Sequence, residues 1–167
     1  MNHKIHSGMI EVAVAGFLSY RRHTIVPNIS HGLFNHECDL LVLDSKKRFT
    51  EIEIKVSLAD LKRDFNKGKF AAKSWNDKYI SRLIYAVPEK ILEKAKDIIP
   101  STYGIISVKE YYPRPEYTVP VLICRWERMV KHDKTSEPAP PSVLDNFYRL
   151  GCMRIWDLKR HNNRTKV

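Results

Sequence analysis

In the segment at residues 49–57, FTEIEIKVS, apolar side chains alternate with polar or ionisable ones from residue 51 onward. A repeat of two is that of a β-strand, whose successive side chains point to opposite faces of a sheet. Glu51, Glu53 and Lys55 therefore share one face of this strand. An exposed strand face commonly carries glutamate and lysine, so this triplet is either a solvated surface or a chemical site.

A second strand is predicted just before this one, at Cys38–Leu43, where the sequence CDLLVL is almost wholly apolar. Residues 44–47, DSKK, have the composition of a turn, so the two strands are expected to form a hairpin. Hairpin pairing brings Asp39, at the head of the first strand, beside Glu53 in the second.

The rest of the chain predicts alternating helices and strands. Helices are predicted at residues 7–21, with Ser7 as N-cap, at 57–69, with Ser57 as N-cap, and at 89–99. Further strands are predicted at 24–29, 81–88, 103–109 and 119–125. This order predicts an α/β fold with a mixed central sheet flanked by helices.

Three regions are expected along the chain. Residues 1–130 form the main domain, and residues 131–142 (KHDKTSEPAPPS) are polar and rich in proline, which is typical of a linker. Residues 143–167 are predicted to form an accessory helix, interrupted near Gly151, that packs back onto the core, followed by a basic tail.

Composition favours a nucleic-acid partner. Lysine and arginine number 29 against 19 aspartates and glutamates, a formal net charge of +10, which raises a polyanion as the partner without establishing it. Cys38, Cys124 and Cys152 form no CxxC pair and are expected to be free thiols. We find neither a membrane-spanning segment nor a secretory signal and expect a cytoplasmic protein, prokaryotic or phage-encoded.

The acids of the hairpin predict a metal site. Asp39 and Glu53 would supply carboxylate oxygens, the ligands that Mg²⁺ prefers, with Mn²⁺ as a substitute. Lys55 would orient an attacking water, help to lower its pKa or stabilise charge developing on a phosphate. Glu11, in the first helix, could bring a third acid near the metal.

These features together resemble the PD-(D/E)xK nuclease superfamily, whose restriction-endonuclease-like core is an αβββαβ unit. The resemblance covers residues 9–109. Within it, EIEIKVSLADLKRDFNKGK, Tyr79, LIYAVP and YGIISV look like the MmcB-like branch of DNA-repair nucleases and related phage proteins. The resemblance implies metal ligation by Asp39 and Glu53, a catalytic Lys55 and a supporting Glu11. Cys38 stands where the superfamily motif has proline.

Several other residues receive a structural interpretation. Glu51 and Glu37 are expected to be solvated, although Glu37 could replace or assist Asp39. His31, His36 and Cys38 offer no fourth zinc ligand at a standard spacing. Two further acids of the second helix, Asp60 and Asp64, are expected at its surface or cap unless the structure turns them toward the cleft.

A run of basic and aromatic residues beside the proposed site predicts contacts with phosphates and bases. The residues expected to bind nucleic acid are Lys62, Arg63, Lys67, Lys69, Lys73, Trp75 and Tyr79. Alternatively, the lysines form a solvated helix face and the aromatic rings belong to the core.

The sequence therefore favours a Mg²⁺-dependent deoxyribonuclease in DNA repair, recombination or phage DNA processing, and leaves a homodimer open. Two alternatives stay open: a catalytically inactive nucleic-acid-binding module on the same fold, and a protein-interaction domain. Salt-sensitive DNA binding without cleavage would indicate the first, and absence of DNA binding the second.

Overall fold

Six strands form one sheet in the computed structural model of the protein, which describes residues 5–29, 32–66, 77–114 and 119–164. The strands are β1 (Thr24–Ile29), β2 (Cys38–Leu43), β3 (Phe49–Ile54), β4 (Ile80–Pro88), β5 (Gly104–Tyr111) and β6 (Val121–Arg128). Strands that are consecutive in the chain are neighbours in the sheet. The pairs β3–β4 and β4–β5 are parallel, and the other pairs are antiparallel. The expected mixed sheet is confirmed.

The helices flank this sheet. They are α1 (Ser7–Phe17), α2 (Leu58–Asn66), α3 (Leu92–Ile98) and α4 (Pro141–Arg164), with short 3-10 turns at Asp77–Tyr79 and Glu89–Ile91. The order from α1 to β4 is αβββαβ, which is the order that the sequence resemblance implies. Membership of the restriction-endonuclease type stays a prediction. In the described part of the chain, none of the helices combines the length and apolarity that crossing a bilayer needs.

Helix α1 is shorter than predicted. It begins after His6, which makes no side-chain cap, so the prediction of Ser7 as N-cap is wrong. The helix ends at Phe17 rather than at residue 21 because Ser19 has a left-handed backbone, with φ of 59°.

One face of the sheet packs against α1. Ile10 and Val14, one helical turn apart, are fully buried against Leu40, Ile52 and Ile84 of β2, β3 and β4. The isoleucines of β3 therefore point toward α1, as the strand alternation predicts.

The opposite face carries the ionisable side chains of β3. Glu51 and Glu53 pair with Leu83 and Tyr85 of β4, which pack against α2 and α3 in a second apolar cluster. Relative exposure is 3% for both glutamates and 8% for Lys55, which follows the strand. Glu51 was expected to be solvated, and that prediction is wrong: its side chain is buried, with Nε2 of His36 lying 3.0 Å from its carboxylate.

Helix α4 packs against the same face of the sheet, beside β1. Phe147 is fully buried against Phe49, with ring centroids 5.1 Å apart. The helix runs through Gly151 without interruption, so the predicted break is wrong. A Cβ on Gly151 would lie 3.0 Å from Cγ2 of Val26, which shows that this glycine permits close approach of helix and strand.

The proline-rich segment before α4 lies against the domain. Its backbone donates hydrogen bonds from Asp133 to the Ser81 carbonyl at 2.8 Å and from Ala139 to the Lys47 carbonyl at 2.6 Å. Ala139 itself is buried. Pro141 then occupies the first position of α4, where the missing N–H costs nothing.

Candidate catalytic site

Asp39 lies against the backbone of the β3 motif. Leu40 pairs with Ile52, so Asp39 and Glu53 are the next residues along the two antiparallel strands. Oδ2 of Asp39 accepts a hydrogen bond of 2.7 Å from the backbone N–H of Ile54, which separates Glu53 from Lys55. The structure therefore brings Asp39 to the two motif residues, as the hairpin argument predicts.

Lys55 bridges two carboxylates. Its Nζ lies 2.8 Å from Oε2 of Glu53 and 3.2 Å from Oδ1 of Asp64, which α2 places over the sheet. Asp64 is 6% exposed. Asp64 is expected from the sequence at the surface or at a cap, and the structure instead buries it against Lys55.

Tyr85 holds the carboxylate of Asp64 in place through a hydrogen bond. Its hydroxyl donates a hydrogen bond of 3.1 Å to Oδ2 of Asp64, and its side chain is completely buried. Burial raises the pKa of Tyr85 far above its ordinary value, and the charges of Asp64 and Glu53 add to the rise. Tyr85 is therefore a fixed donor at neutral pH.

Opposing effects act on the Lys55 ammonium. Burial lowers the pKa of Lys55, but the charges of Glu53, Asp64 and Asp39 outweigh it, and the pKa is raised above its ordinary value. Lys55 is accordingly protonated at neutral pH. It can orient or stabilise an oxygen that carries negative charge, but it is not a proton acceptor there.

Glu11 reaches the same end of the sheet from α1. Its Oε2 accepts a hydrogen bond of 3.1 Å from the side-chain amide of Asn28. Burial raises the pKa of Glu11, the Asn28 hydrogen bond lowers it and the charge of Asp39 raises it, with a net rise. The role of Glu11 as a third acid beside the metal stays a prediction.

The donor atoms at this site suit a hard divalent cation. Asp39 and Glu53 carry carboxylates on paired strands, whereas Glu11, on the flanking helix, does not form with them a group whose ligand atoms all lie within 4.8 Å of one another. Mg²⁺ takes oxygen ligands and usually keeps several waters, so two or three protein carboxylates are enough. The residues present thus fit Mg²⁺ or Mn²⁺ by their chemistry.

A second cluster lies nearby on the same hairpin. Nε2 of His36 is 3.0 and 3.1 Å from the two oxygens of Glu51. Among the described residues, His36, Cys38 and Glu51 form the one group of three whose ligand atoms all lie within 4.8 Å of one another. The sequence argument missed this group because Glu51 belongs to another strand, and His31 lies outside the described residues.

A cleft of about 730 Å³ opens beside Glu51. His36 and Glu51 line it together with Ser81, Arg82 and Tyr103. Its size is that of a site for a small ligand or a single nucleotide.

The predicted nucleic-acid-binding residues have different positions. Lys62 and Arg63 are exposed on α2. Tyr79 is 6% exposed within the apolar core, so its ring is not available to stack on a base, and this prediction is wrong. Four predicted residues lie outside the described part of the chain: Lys67, Lys69, Lys73 and Trp75.

Two minor sequence predictions can be placed as well. The hydroxyl of Ser57 accepts a hydrogen bond of 3.1 Å from the backbone N–H of Asp60, which confirms Ser57 as the cap of α2. Glu37 is exposed, as expected.

Asp64 and Tyr85 could have been found from the sequence. Asp64 lies between Leu61 and Phe65 on the apolar stripe of α2, and a carboxylate on a buried stripe needs a partner. Tyr85 alternates with Leu83 and Val87, which places its ring on the face that Glu53 shares.

Comparison with known proteins supports the fold. No family model and no curated protein matches the chain. The solved structure of the SPO1766 protein of unknown function from Silicibacter pomeroyi is similar, with a TM-score of 0.63 and 15% sequence identity. The similarity covers 97% of this chain and 94% of that one. At this identity the likeness shows a shared fold alone.

Proposed function

We propose that this protein is a metal-dependent nuclease that hydrolyses phosphodiester bonds in DNA, in repair, recombination or phage DNA processing. The observation that carries the proposal is the convergence of Asp39, Glu53 and Lys55. Asp39 accepts the N–H of Ile54 at 2.7 Å, and Lys55 lies 2.8 Å from Glu53. This arrangement is what the resemblance to the PD-(D/E)xK nucleases implies.

The acidic side chains and Lys55 would have different roles in the reaction. Asp39 and Glu53 would hold Mg²⁺ or Mn²⁺, with Glu11 beside them. When bound, the metal supplies positive charge for the phosphate and lowers the pKa of a coordinated water. Lys55, protonated and oriented by Asp64, would position the attacking water or neutralise charge on the phosphate oxygens.

The DNA partner is supported by charge. The net charge is +10, and Lys62 and Arg63 are exposed on the helix that delivers Asp64 to the site. Cations on that helix would contact phosphates flanking the scissile bond. Binding should therefore weaken steeply as salt rises, because counterions released from DNA drive it.

A cleavage assay tests the proposal. The full-length protein is incubated with linear and circular duplex DNA, single-stranded DNA and RNA, in Mg²⁺, Mn²⁺ or a chelator. We expect DNA cleavage in either metal and none in the chelator. Lys55→Ala should reduce the rate on the order of 100- to 1,000-fold. Lys46→Ala, at the exposed hairpin turn, serves as the matched control and should cleave normally.

Circular dichroism and DNA-binding measurements separate the alternatives. A folded Lys55→Ala protein with full activity would refute the assignment of Lys55. Salt-sensitive DNA binding without metal-stimulated cleavage in the unaltered protein would instead identify the inactive binding module, which the +10 charge would also serve.

A further inference from the structure

We infer that His36, Cys38 and Glu51 form a binding site for a transition-metal ion of the Zn²⁺ type. This site is separate from the acids proposed to hold Mg²⁺, and the inference does not depend on nuclease activity. The ligand atoms of the three side chains lie within 4.8 Å of one another.

The spacing of the ligand atoms is close to that of a zinc site. With bonds of 2.0–2.3 Å, tetrahedral ligands around Zn²⁺ are about 3.3–3.8 Å apart. His36 and Glu51 are already 3.0 Å apart through Nε2 and Oε1, so binding requires them to separate slightly. The thiol needs to approach by at most about 1–1.5 Å, a distance that side-chain rotation can supply.

The ligand types select the metal. One imidazole nitrogen, one thiolate sulfur and one carboxylate oxygen suit Zn²⁺ and its neighbours in the transition series. Mg²⁺ strongly prefers oxygen and would gain little from the sulfur or the imidazole. The two proposed sites thus differ in the ions that they would take.

The backbone holds the three ligands in place before any ion binds. Cys38 pairs with Ile29 at the start of β2, and Glu51 pairs with Leu41 in the sheet. The ring of His36 stacks on Phe34, with centroids 5.6 Å apart and planes at 18°. A site whose ligands are already ordered loses little conformational entropy on binding.

Burial favours retention of an ion. Cys38 is 1% and Glu51 3% exposed, and the His36 side chain is 16% exposed. A shielded site of this kind strengthens the attraction between a cation and its anionic ligands.

The cleft provides both an entrance and a fourth ligand position. His36 and Glu51 line the 730 Å³ cleft, so a bound ion would have its open side there. Three protein ligands with one open position are the pattern of catalytic rather than structural zinc sites. The fourth ligand would be water or an anionic oxygen of a molecule in the cleft, whose wall also carries Arg82.

Metal titration of the tag-free, full-length protein tests the inference. The protein is stripped with a chelator, and Zn²⁺ binding is measured in competition with a chromophoric chelator. We expect one tight site per chain. Cys38→Ser and Glu51→Gln, which keep the side-chain shapes, should each weaken binding at least about 10-fold, since even indirect partners of a metal ligand have that effect.

Control variants distinguish this site from others. Cys124→Ser and Cys152→Ser remove the other two thiols and should bind Zn²⁺ as the unaltered protein does. Glu53→Gln removes a proposed Mg²⁺ ligand and should also leave Zn²⁺ binding unchanged. Loss of nuclease activity in Glu53→Gln with intact Zn²⁺ binding would show that the two proposals are independent.

The absorption spectrum of bound Co²⁺ tests whether the Cys38 thiolate is a metal ligand. Co²⁺ bound to the unaltered protein should show a near-ultraviolet band for charge transfer from sulfur, absent in Cys38→Ser and present in Cys124→Ser. Should Cys38→Ser fail to fold, the double variant Cys124→Ser/Cys152→Ser, which keeps Cys38 as its one thiol, gives the same answer by retaining the band. Absence of a tight site, or a Co²⁺ band that survives in folded Cys38→Ser, would overturn the inference.

Discussion

The ammonium of Lys55 lies 3.2 Å from Oδ1 of Asp64, a carboxylate that belongs to the helix following the motif strand. Oε2 of Glu53 lies 2.8 Å from the same ammonium. Two buried acids therefore fix the position of the Lys55 ammonium. Because one acid comes from the strand and one from the helix, packing of α2 on the sheet determines where the lysine charge lies.

Asp64→Asn should therefore impair catalysis without removing a proposed metal ligand. We expect DNA cleavage to fall roughly 10- to 100-fold, the usual effect of losing a partner that orients a site residue. Because the charge of Asp64 raises the pKa of Lys55, the alkaline limb of the pH–rate profile should move to lower pH. Asp60→Asn, one turn earlier on α2, is the control. An unshifted pH profile would contradict this positioning role.

Glu11→Gln should weaken Mg²⁺ binding by the nuclease and leave its fold intact. Burial raises the pKa of Glu11 and the charge of Asp39 adds to the rise, as expected for repulsion between two acids. A divalent cation would relieve that repulsion. We expect the Mg²⁺ concentration for half-maximal cleavage to rise roughly 10-fold, as for other residues that support a metal site. Glu37→Gln, which alters an exposed acid near Asp39, should leave it unchanged; equal effects would exclude Glu11 from the site.

The fold could largely be predicted because local patterns agree with tertiary packing. The alternation in β3 and the helical spacing of Ile10 and Val14 each place apolar side chains on the face that the structure buries. The break predicted near Gly151 was wrong because the glycine there leaves room for the side chain of Val26. The sequence of the helix does not show that Val26 packs against it.

The site could be predicted only in part. Asp39, Glu53 and Lys55 follow from hairpin pairing, which is local in sequence. Glu51 is buried with His36 against its carboxylate, and Tyr79 is a core residue because it packs in one cluster with Leu144 and Phe147 of α4. Such contacts join distant segments, and periodicity carries no information about them.

Tyr85→Phe should alter how stability depends on pH. Its folded-state pKa is raised by burial, so the stability that the protonated phenol contributes is present below its unfolded pKa of about 10 and is lost as pH rises beyond it. Above pH 10 the free energy of unfolding of the unaltered protein should fall more steeply than that of the variant, by up to about 1.4 kcal/mol per pH unit.

Urea unfolding of both proteins between pH 7 and pH 11.5 measures this difference. At pH 7 the variant should be less stable by about 1.5–3 kcal/mol, because Asp64 loses a hydrogen bond to a charged group. Tyr111→Phe, which alters an exposed tyrosine, is the control. Parallel pH curves for Tyr85→Phe and the unaltered protein would refute the account.

Phe147→Ala should show whether α4 is part of the folded core or an appendage. Phe147 is fully buried and contacts Phe49 of β3, so truncation leaves a cavity beneath the helix. We expect the free energy of unfolding to fall by about 3–5 kcal/mol, with a single cooperative transition. Tyr148→Ala alters the next residue, whose side chain is 44% exposed, and should cost much less. Because Phe49 begins the strand that carries Glu51 and Glu53, a small loss for Phe147→Ala would mean that α4 does not support the site-bearing face.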